Sequence, residues 1–288
     1  MAKVNGERVI ITGASSGIGK AIAFELARKG ARIILTSRQS DLLKKVAEEI
    51  KHTFPGAMTP LAIDCDVTNR KDVRKVIDFC AEHYGGIDIL INNAGIGVYG
   101  TCEKSSLEDI RSLMEVNFFG SVHFILEALP LMRETKKGII VNISSLAAKH
   151  GVPYLAAYGA SKAALATLSQ SLDAELVASG ISVLAVYPGY TQTDFFKKEK
   201  KVGGARRPDK PYGSPQKVAE GVVAGIEKEK HELILSAEGK VLILFQSLIP
   251  WLVRKGMERI ARDLRDKREV FDGQTQTSDH RPFSKLRG

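Results

Sequence analysis

Tyr158 and Lys162 stand four residues apart in the run YGASK (158–162), a spacing that stacks a phenol and an ammonium on one face of a helix. A free phenol has a pKa of about 10 and stays protonated at neutral pH. A close cation favours the phenolate and moves the group toward the range in which a general acid or base works. Taken alone, the same spacing is also an ordinary solvated helix face. The meaning of the pair depends on what the rest of the chain places beside it.

The elements that would position it follow an alternating pattern. Short β-branched runs recur at RVIIT (8–12), RIILT (32–36), PLAID (60–64), IDILI (87–91), GIIVNI (138–143), ISVLAVY (181–187) and ELILS (232–236). They read as buried parallel strands, which are apolar on both faces. Between them, 18–29, 40–53, 69–84, 106–134, 155–179 and 215–227 carry apolar residues at helical spacing, with Asp41, Asn69 and Ser106 as caps or first-turn residues. The alternation predicts an α/β fold, a single doubly wound Rossmann domain with a mostly parallel seven-stranded sheet and helices on both faces. Ligands of such a sheet sit at the carboxyl ends of its strands.

Directly after the first strand comes TGASSGIG (12–19), with Gly13, Gly17 and Gly19 spaced G-x-x-x-G-x-G. Glycines let backbone approach a pyrophosphate, and a helix N-terminus offers unpaired N–H groups and a positive dipole end. With a strand before and a helix after, Gly13, Ser15, Ser16, Gly17, Ile18 and Gly19 read as a dinucleotide loop. The second strand runs into Ser37 and Arg38 with no acid before Asp41. An acid there would accept from a ribose 2′-hydroxyl, whereas a planar guanidinium suits a 2′-phosphate, so the expected cofactor is NADP(H). After the third strand, Asp66 and Val67 lie near the adenine, where Asp66 is either a partner of the adenine amine or a helix cap.

Composition narrows the class. With 44% hydrophobic and 26% charged residues, the 288-residue chain reads as a globular protein with a sizeable core. Cys65, Cys80 and Cys102 are widely spaced without C-x-x-C, and no histidine lies in H-E-x-x-H, which implies reduced thiols, a cytoplasmic setting and no metal site. The N-terminus has no apolar stretch of signal-peptide length. Of the net charge of +9, residues 197–210 carry +5 and 254–288 carry +4. The body is neutral, and no basic stripe with interleaved aromatics supports nucleic-acid binding. Each charged segment reads as solvated, or as attracting an anionic substrate or lipid surface.

Six motifs, TGASSGIG (12–19), NNAG (92–95), VNFFG with Asn117, ISS (143–145), YGASK (158–162) and PGYTQT (188–193), together resemble the short-chain dehydrogenase/reductase family in order and spacing over roughly residues 5–236. The resemblance implies that Tyr158 gives a proton to a ketone. Lys162 would lower its pKa and hold the nicotinamide ribose, Ser145 would hydrogen-bond the carbonyl oxygen, and Asn117 would hold a water of a proton relay. Ser144 competes with Ser145, whose thirteen-residue spacing to Tyr158 fits the family. Asn93, Ala94 and Gly95 would pack near the adenine ribose. Pro188, Gly189, Thr191 and Thr193 would meet the nicotinamide side, although the family places a branched aliphatic residue where Thr191 stands.

The substrate end is read from composition. Residues 1–237 form the dinucleotide and catalytic domain, and within it 190–215, rich in Gly, Pro and basic residues, is long enough to be a substrate lid. Residues 238–268 form an apolar, amphipathic helical extension, with Met257, Ile260, Ala261 and Leu264 opposite Arg254, Lys255, Arg259, Arg262 and Arg265. Val241–Val253 falls short of the ~20 residues of a membrane span, so the face packs on the domain, joins a partner subunit, or lies on a membrane through 240–265. Residues 269–288 are polar and unpatterned, as in a disordered tail. The expected activity is NADPH-dependent hydride transfer with a hydrophobic or lipid-like ketone or alcohol, by a homodimer or homotetramer. A dinucleotide-binding sensor and a peripheral-membrane scaffold are the alternatives.

Overall fold

The computed structural model describes residues 4–207 and 213–265. Within them, strands β1 (Arg8–Thr12), β2 (Arg32–Ser37), β3 (Leu61–Asp64), β4 (Ile89–Asn92), β6 (Gly138–Ile143), β7 (Ile181–Tyr187) and β9 (Glu232–Ile234) form one sheet. Its order is β3-β2-β1-β4-β6-β7-β9, with every pairing parallel. Side-chain alternation along each strand feeds two cores. Val9 and Ile11 of β1, Ile33 and Leu35 of β2, and Ile89 and Ile91 of β4 enter one core, while Ile10, Ile34 and Leu90 enter the other. That two-sided burial is why these strands read as unbroken apolar runs.

Helices α1 (Gly17–Arg28), α2 (Ser40–Thr53) and α8 (Pro215–Glu227) cover the first face through Ile22, Leu26, Leu43, Ile50 and Val222. Helices α3 (Arg70–Tyr84) and α5 (Gly120–Thr135) cover the second through Val73, Ile77, Phe124 and Met132. Asn69 caps α3 by accepting from the Lys71 N–H at 3.0 Å, and Ser106 forms a capping box with Asp109 at the start of α4 (Leu107–Met114). Asp41 lies in the first turn of α2. The predicted 106–134 helix is divided by a π-turn at Glu115–Phe119. Helix α6 (Ala156–Leu176) ends in a 3₁₀ turn at Val177–Ser179.

Chain order reverses at β1, which pairs with β2 on one side and β4 on the other. The connections after β1 and β4 therefore leave toward helices on opposite faces of the sheet, and a crevice opens at its carboxyl edge. Over it lies a second, two-stranded parallel sheet that sequence patterning does not show, β5 (Val98–Gly100) with β8 (Lys200–Gly203). Strand β8 belongs to the expected lid, which also holds the short helix α7 (Phe195–Lys198). Beyond β9 the chain forms two helices, α9 (Ala237–Leu248) and α10 (Pro250–Leu264), with Pro250 at the first turn of α10. Residues 208–212 of the lid, 266–268 of the extension and the tail at 269–288 lie outside the described residues.

Candidate active site

At the crevice the glycine loop is tied down before any ligand arrives. The Asn93 side chain donates to the Thr12 and Gly13 carbonyls at 2.9 and 3.1 Å. In return the Thr12 hydroxyl accepts from the Asn93 and Ala94 N–H groups at 2.9 and 3.0 Å. Gly13 has φ +66°, and a Cβ there would lie 2.8 Å from the Ala94 Cα. Only glycine accommodates both demands. Gly17, with φ +59°, brings the first turn of α1 against Thr193, whose methyl would lie 3.1 Å from an added Cβ. The Ser16 side chain makes no cap bond to α1, which leaves the helix N-terminus open to an anion. Gly13, Ser15, Ser16, Gly17 and Ile18 line a cavity of about 1220 Å³.

Gly19 departs from its expected role as a ligand contact. It is buried, does not line the cavity, and an added Cβ would stand 2.5 Å from both the Asn93 amide and the Gly13 carbonyl. It lets α1 pack onto the loops. At the end of β2, Ser37 and Arg38 do line the cavity, and Arg38 is exposed. Asp66 resolves its two readings partly: its carboxylate accepts from the Thr68 N–H and hydroxyl at 3.0 and 2.8 Å, and the cap of α3 is Asn69. Asp66 and Val67 nevertheless border the cavity, as do Asn93, Ala94 and Gly95.

The chemistry-bearing side chains converge from α6 and the end of β6. Ser144 is buried and gives its hydroxyl proton to the Lys162 carbonyl at 2.8 Å, whereas Ser145 starts the 3₁₀ turn at Leu146–Ala148, accepts from the Ala147 N–H at 3.2 Å, and stands beside Tyr158. The geometry thus separates the two serines. Asn117, fully buried within the π-turn, spends both amide protons on the Ile96 carbonyl and the Ser161 hydroxyl, and accepts from the Ile96 N–H at 2.8 Å. What it can still offer a relay water is an acceptor, from its side-chain or main-chain oxygen.

Tyr158 and Lys162 occupy one face of α6, and their polar ends meet different partners. The Lys162 ammonium is buried beside Gly95 and donates to the Ile143 carbonyl at 2.8 Å; loss of solvent lowers its pKa to about 8. Tyr158 is half-buried at the cavity wall, yet protein crowds its phenol and desolvation pushes its pKa up to about 12. The hydrogen bond with Ser145 opposes this rise, as does the positive field of Arg207, while Tyr190 adds to it. The cation felt by the phenol is therefore Arg207 of the lid. The Lys162 ammonium, expected to lower the phenol's pKa, donates to the strand carbonyl of Ile143.

Thr193 and Thr191 both border the cavity with Pro188 and Gly189. Thr191 is buried, with its hydroxyl on the Gly189 carbonyl at 3.0 Å. Phe195 lies over Tyr158 with ring centroids 5.8 Å apart. Behind it, Arg207 stacks on Tyr99 and Phe196, at 4.3 and 4.4 Å from the ring centroids, and forms an ion pair with the fully buried Glu199. Neither Glu199 nor Arg207 was legible as functional, because KKEKKVGGARR (197–207) reads as a solvated charge run. Lysines of that run do bond outward, Lys200 with Asp109 at 2.7 Å and Lys197 with Asp194 at 3.0 Å.

The buried pair sets an expectation for the lid. Glu199→Gln removes the fully buried carboxylate that pairs with Arg207, and a hydrogen bond to a charged group contributes about 1.5–3 kcal/mol. Confined to this segment, that raises local opening roughly 10–100-fold. Trypsin cleavage at Lys197–Lys201 should accelerate accordingly at unchanged global melting; cleavage at the native rate would show that the pair does not hold the lid.

Comparison with known proteins places this site in context. Residues 7–202 match the family model described as short chain dehydrogenase. A dehydrogenase/reductase SDR family protein 7-like of Anopheles gambiae is 32% identical over 275 residues, covering 89% of this chain and 85% of the relative. An 11-beta-hydroxysteroid dehydrogenase-like 2 of Arabidopsis thaliana is 34% identical over 258 residues, covering 87% and 80%. Among solved structures, an alcohol dehydrogenase of Thermococcus sibiricus complexed with 5-hydroxy-NADP superposes with a TM-score of 0.71 at 27% identity, covering 81% of this chain and 97% of that one.

Proposed function

The chain belongs to the short-chain dehydrogenase/reductase family of nicotinamide-dependent oxidoreductases, and from that premise we propose that it is an NADP(H)-dependent enzyme acting on a hydrophobic or lipid-like ketone or alcohol. One observation carries the proposal: the Ser145 and Tyr158 hydroxyls stand together on the wall of the cavity that the glycine loop also lines. The dinucleotide fits the residues present, since Gly13 and Gly17 leave no room for side chains and the α1 N-terminus lacks a side-chain cap. When bound there, it supplies the hydride.

The chain's own groups manage the proton. As hydride reaches a carbonyl carbon, negative charge grows on oxygen, and two O–H donors stabilise that state more than the substrate. Burial holds the Tyr158 phenol protonated at neutral pH, the state required of an acid. Ser145 orients the same oxygen, and Asn117 holds the Ile96 backbone and Ser161 in place while offering an acceptor to a relay water. Lys162 keeps its charge just below pH 8, beside Gly95, where it holds the nicotinamide ribose. Asn93, Ala94, Gly95, Pro188, Gly189, Thr191 and Thr193 complete the contacts.

Arg38 supports the phosphorylated cofactor, because no carboxylate shares the end of β2 with it. Arg38→Asp should weaken NADPH by roughly 10–100-fold, the size of a charge-assisted contact plus the repulsion that replaces it, and leave NADH within about threefold. Equal weakening of both, measured by fluorescence titration, would contradict a 2′-phosphate role.

The substrate class follows from the cavity's far wall, where Leu146, Leu155, Leu235, Leu242, Met257 and Ile260 are apolar. In domain terms, residues 1–237 carry cofactor and catalysis, 190–215 form the lid, and the extension roofs the cavity. Exposed Leu107, Phe119, Leu126 and Val177 on α4 to the end of α6 suit a homodimer, which sedimentation equilibrium would detect as twice the chain mass. For the activity itself, a panel of long-chain ketones, steroids, retinoids and 3-oxoacyl thioesters followed by NADPH absorbance is the test. Turnover of at least one apolar carbonyl is expected, and none above background would overturn the reading.

A further inference from the structure

The helical hairpin α9–α10 has two dissimilar sides. On one, Leu242, Met257, Ile260 and Leu264 line the cavity. That side is clasped to the lid and body: the Arg206 N–H donates to the Leu264 carbonyl at 2.9 Å, the Arg206 side chain to the Asp263 carbonyl at 3.0 Å, and the Tyr154 hydroxyl to the Ala261 carbonyl at 2.6 Å. Gly239 brings the start of α9 against Leu146, where an added Cβ would lie 2.8 Å away. The hairpin is thus a fixed part of the fold, not a loose appendage.

On the other side, Val241, Leu244, Phe245 and Leu248 follow the i, i+3, i+4, i+7 spacing of one helix face, and Trp251 and Leu252 continue it past the Pro250 turn. All six are exposed, Leu248 to 71% and Trp251 to 58%. A contiguous apolar surface of this kind marks a binding face. Its charge is one-sided: residues 240–257 contain Lys240, Arg254 and Lys255 and no aspartate or glutamate. The Lys255 ammonium lies 5.4 Å from the Trp251 ring centre, which pairs an amphipathic aromatic with a cation at the rim of the apolar patch. Arg254 has Glu258 at 3.6 Å on an exposed surface, a contact too weak to cancel the charge.

From these features we infer that the outer face of α9–α10 docks on an anionic lipid bilayer. An apolar helix face edged with lysine and arginine suits the interface plane, where both terms of binding add. No helix among the described residues is long and apolar enough to cross a membrane, so the hairpin lies on the surface. A second copy fits less well, because a twofold interface built on this patch would set its cations against themselves. The inference stands apart from the reaction proposed above, although it places the apolar cavity wall next to the lipid.

Trp251 is the only tryptophan in the chain, so intrinsic fluorescence reports on the face directly. Mixed phosphatidylcholine–phosphatidylserine vesicles should shift the full-length protein's emission to the blue. Pure phosphatidylcholine vesicles should bind roughly 30–150-fold more weakly, given about a fivefold gain for each of the two or three cations, among Lys240, Arg254 and Lys255, that reach the surface. The double change Leu244→Ser/Leu248→Ser should abolish the shift at unchanged melting temperature, and Lys240→Glu/Lys255→Glu should remove the preference for phosphatidylserine. No shift with either vesicle, or equal binding to both, overturns the inference. So does a wild-type dimer that Leu244→Ser/Leu248→Ser converts to monomer without vesicle binding, since a second copy then covers the face.

Discussion

Tyr158→Phe should lower turnover by roughly 10²–10⁴-fold, the usual contribution of a positioned general acid, while dinucleotide affinity stays within about twofold. The substitution removes one oxygen and keeps the ring, so the packing with Phe195 at 5.8 Å persists. What disappears is the proton that must reach the substrate oxygen. Ser145 cannot replace it, because a serine hydroxyl donates a hydrogen bond without being a usable acid near neutral pH. Direction matters too. Burial pushes the Tyr158 pKa up to about 12, so reduction, which needs the protonated phenol, should persist across neutral pH, and alcohol oxidation, which needs the phenolate, should rise with pH. Stopped-flow NADPH consumption and isothermal titration of the cofactor check both halves; full activity in the variant would contradict the assignment.

Lys162→Met should have two opposite effects. Turnover should fall, since the buried ammonium beside Gly95 is the group proposed above to hold the nicotinamide ribose. Stability at pH 7 rises. Desolvation lowers the Lys162 pKa to about 8 from the ordinary 10.5, so between those values the unfolded chain binds a proton that the folded chain does not. Folding is therefore penalised below about pH 8, and the penalty vanishes as pH climbs toward 10.5. Its size is on the order of 3 kcal/mol, larger than the ~1 kcal/mol of the lost hydrogen bond to Ile143. Urea titrations should show the variant more stable than wild type at pH 7 with the difference closing by pH 10. A variant less stable throughout would mean that the lysine's charge is not buried at a cost.

How much of this was legible in the sequence depends on the range of the forces involved. Strands β1, β2, β6 and β7 announce themselves because burial on both faces demands an unbroken apolar run, and Asn69 and Ser106 announce helix starts because capping is a local bond. Strand β5 does not, since three residues, Val98–Gly100, carry no period and their partner β8 lies a hundred residues away. The site divides along the same line. Ser145 was separable from Ser144 by spacing, and the structure separates them by hydrogen bonding.

The tuning of Tyr158 was not legible, because it is set first by desolvation and then by Ser145, Tyr190 and Arg207, which only folding gathers around the phenol. Glu199 and Arg207 were hidden inside a charge run whose other members face outward. Gly19 satisfied a cofactor motif yet serves packing, for a motif records that a side chain is excluded and not what excludes it. The extension posed three alternatives in sequence. In the fold its inner side roofs the cavity and its outer side stays bare, a division that helical spacing alone could not assign.

The most direct test of the central claim, that Tyr158 protonates a carbonyl as the nicotinamide reduces it, is isotope tracing with NADPH carrying deuterium at both C4 positions and an apolar ketone that the enzyme converts. Mass spectrometry of the product should find one deuterium on the carbinol carbon with the wild-type protein and almost no product with Tyr158→Phe. Alcohol without the label, or labelled alcohol formed equally fast by the variant, would contradict it.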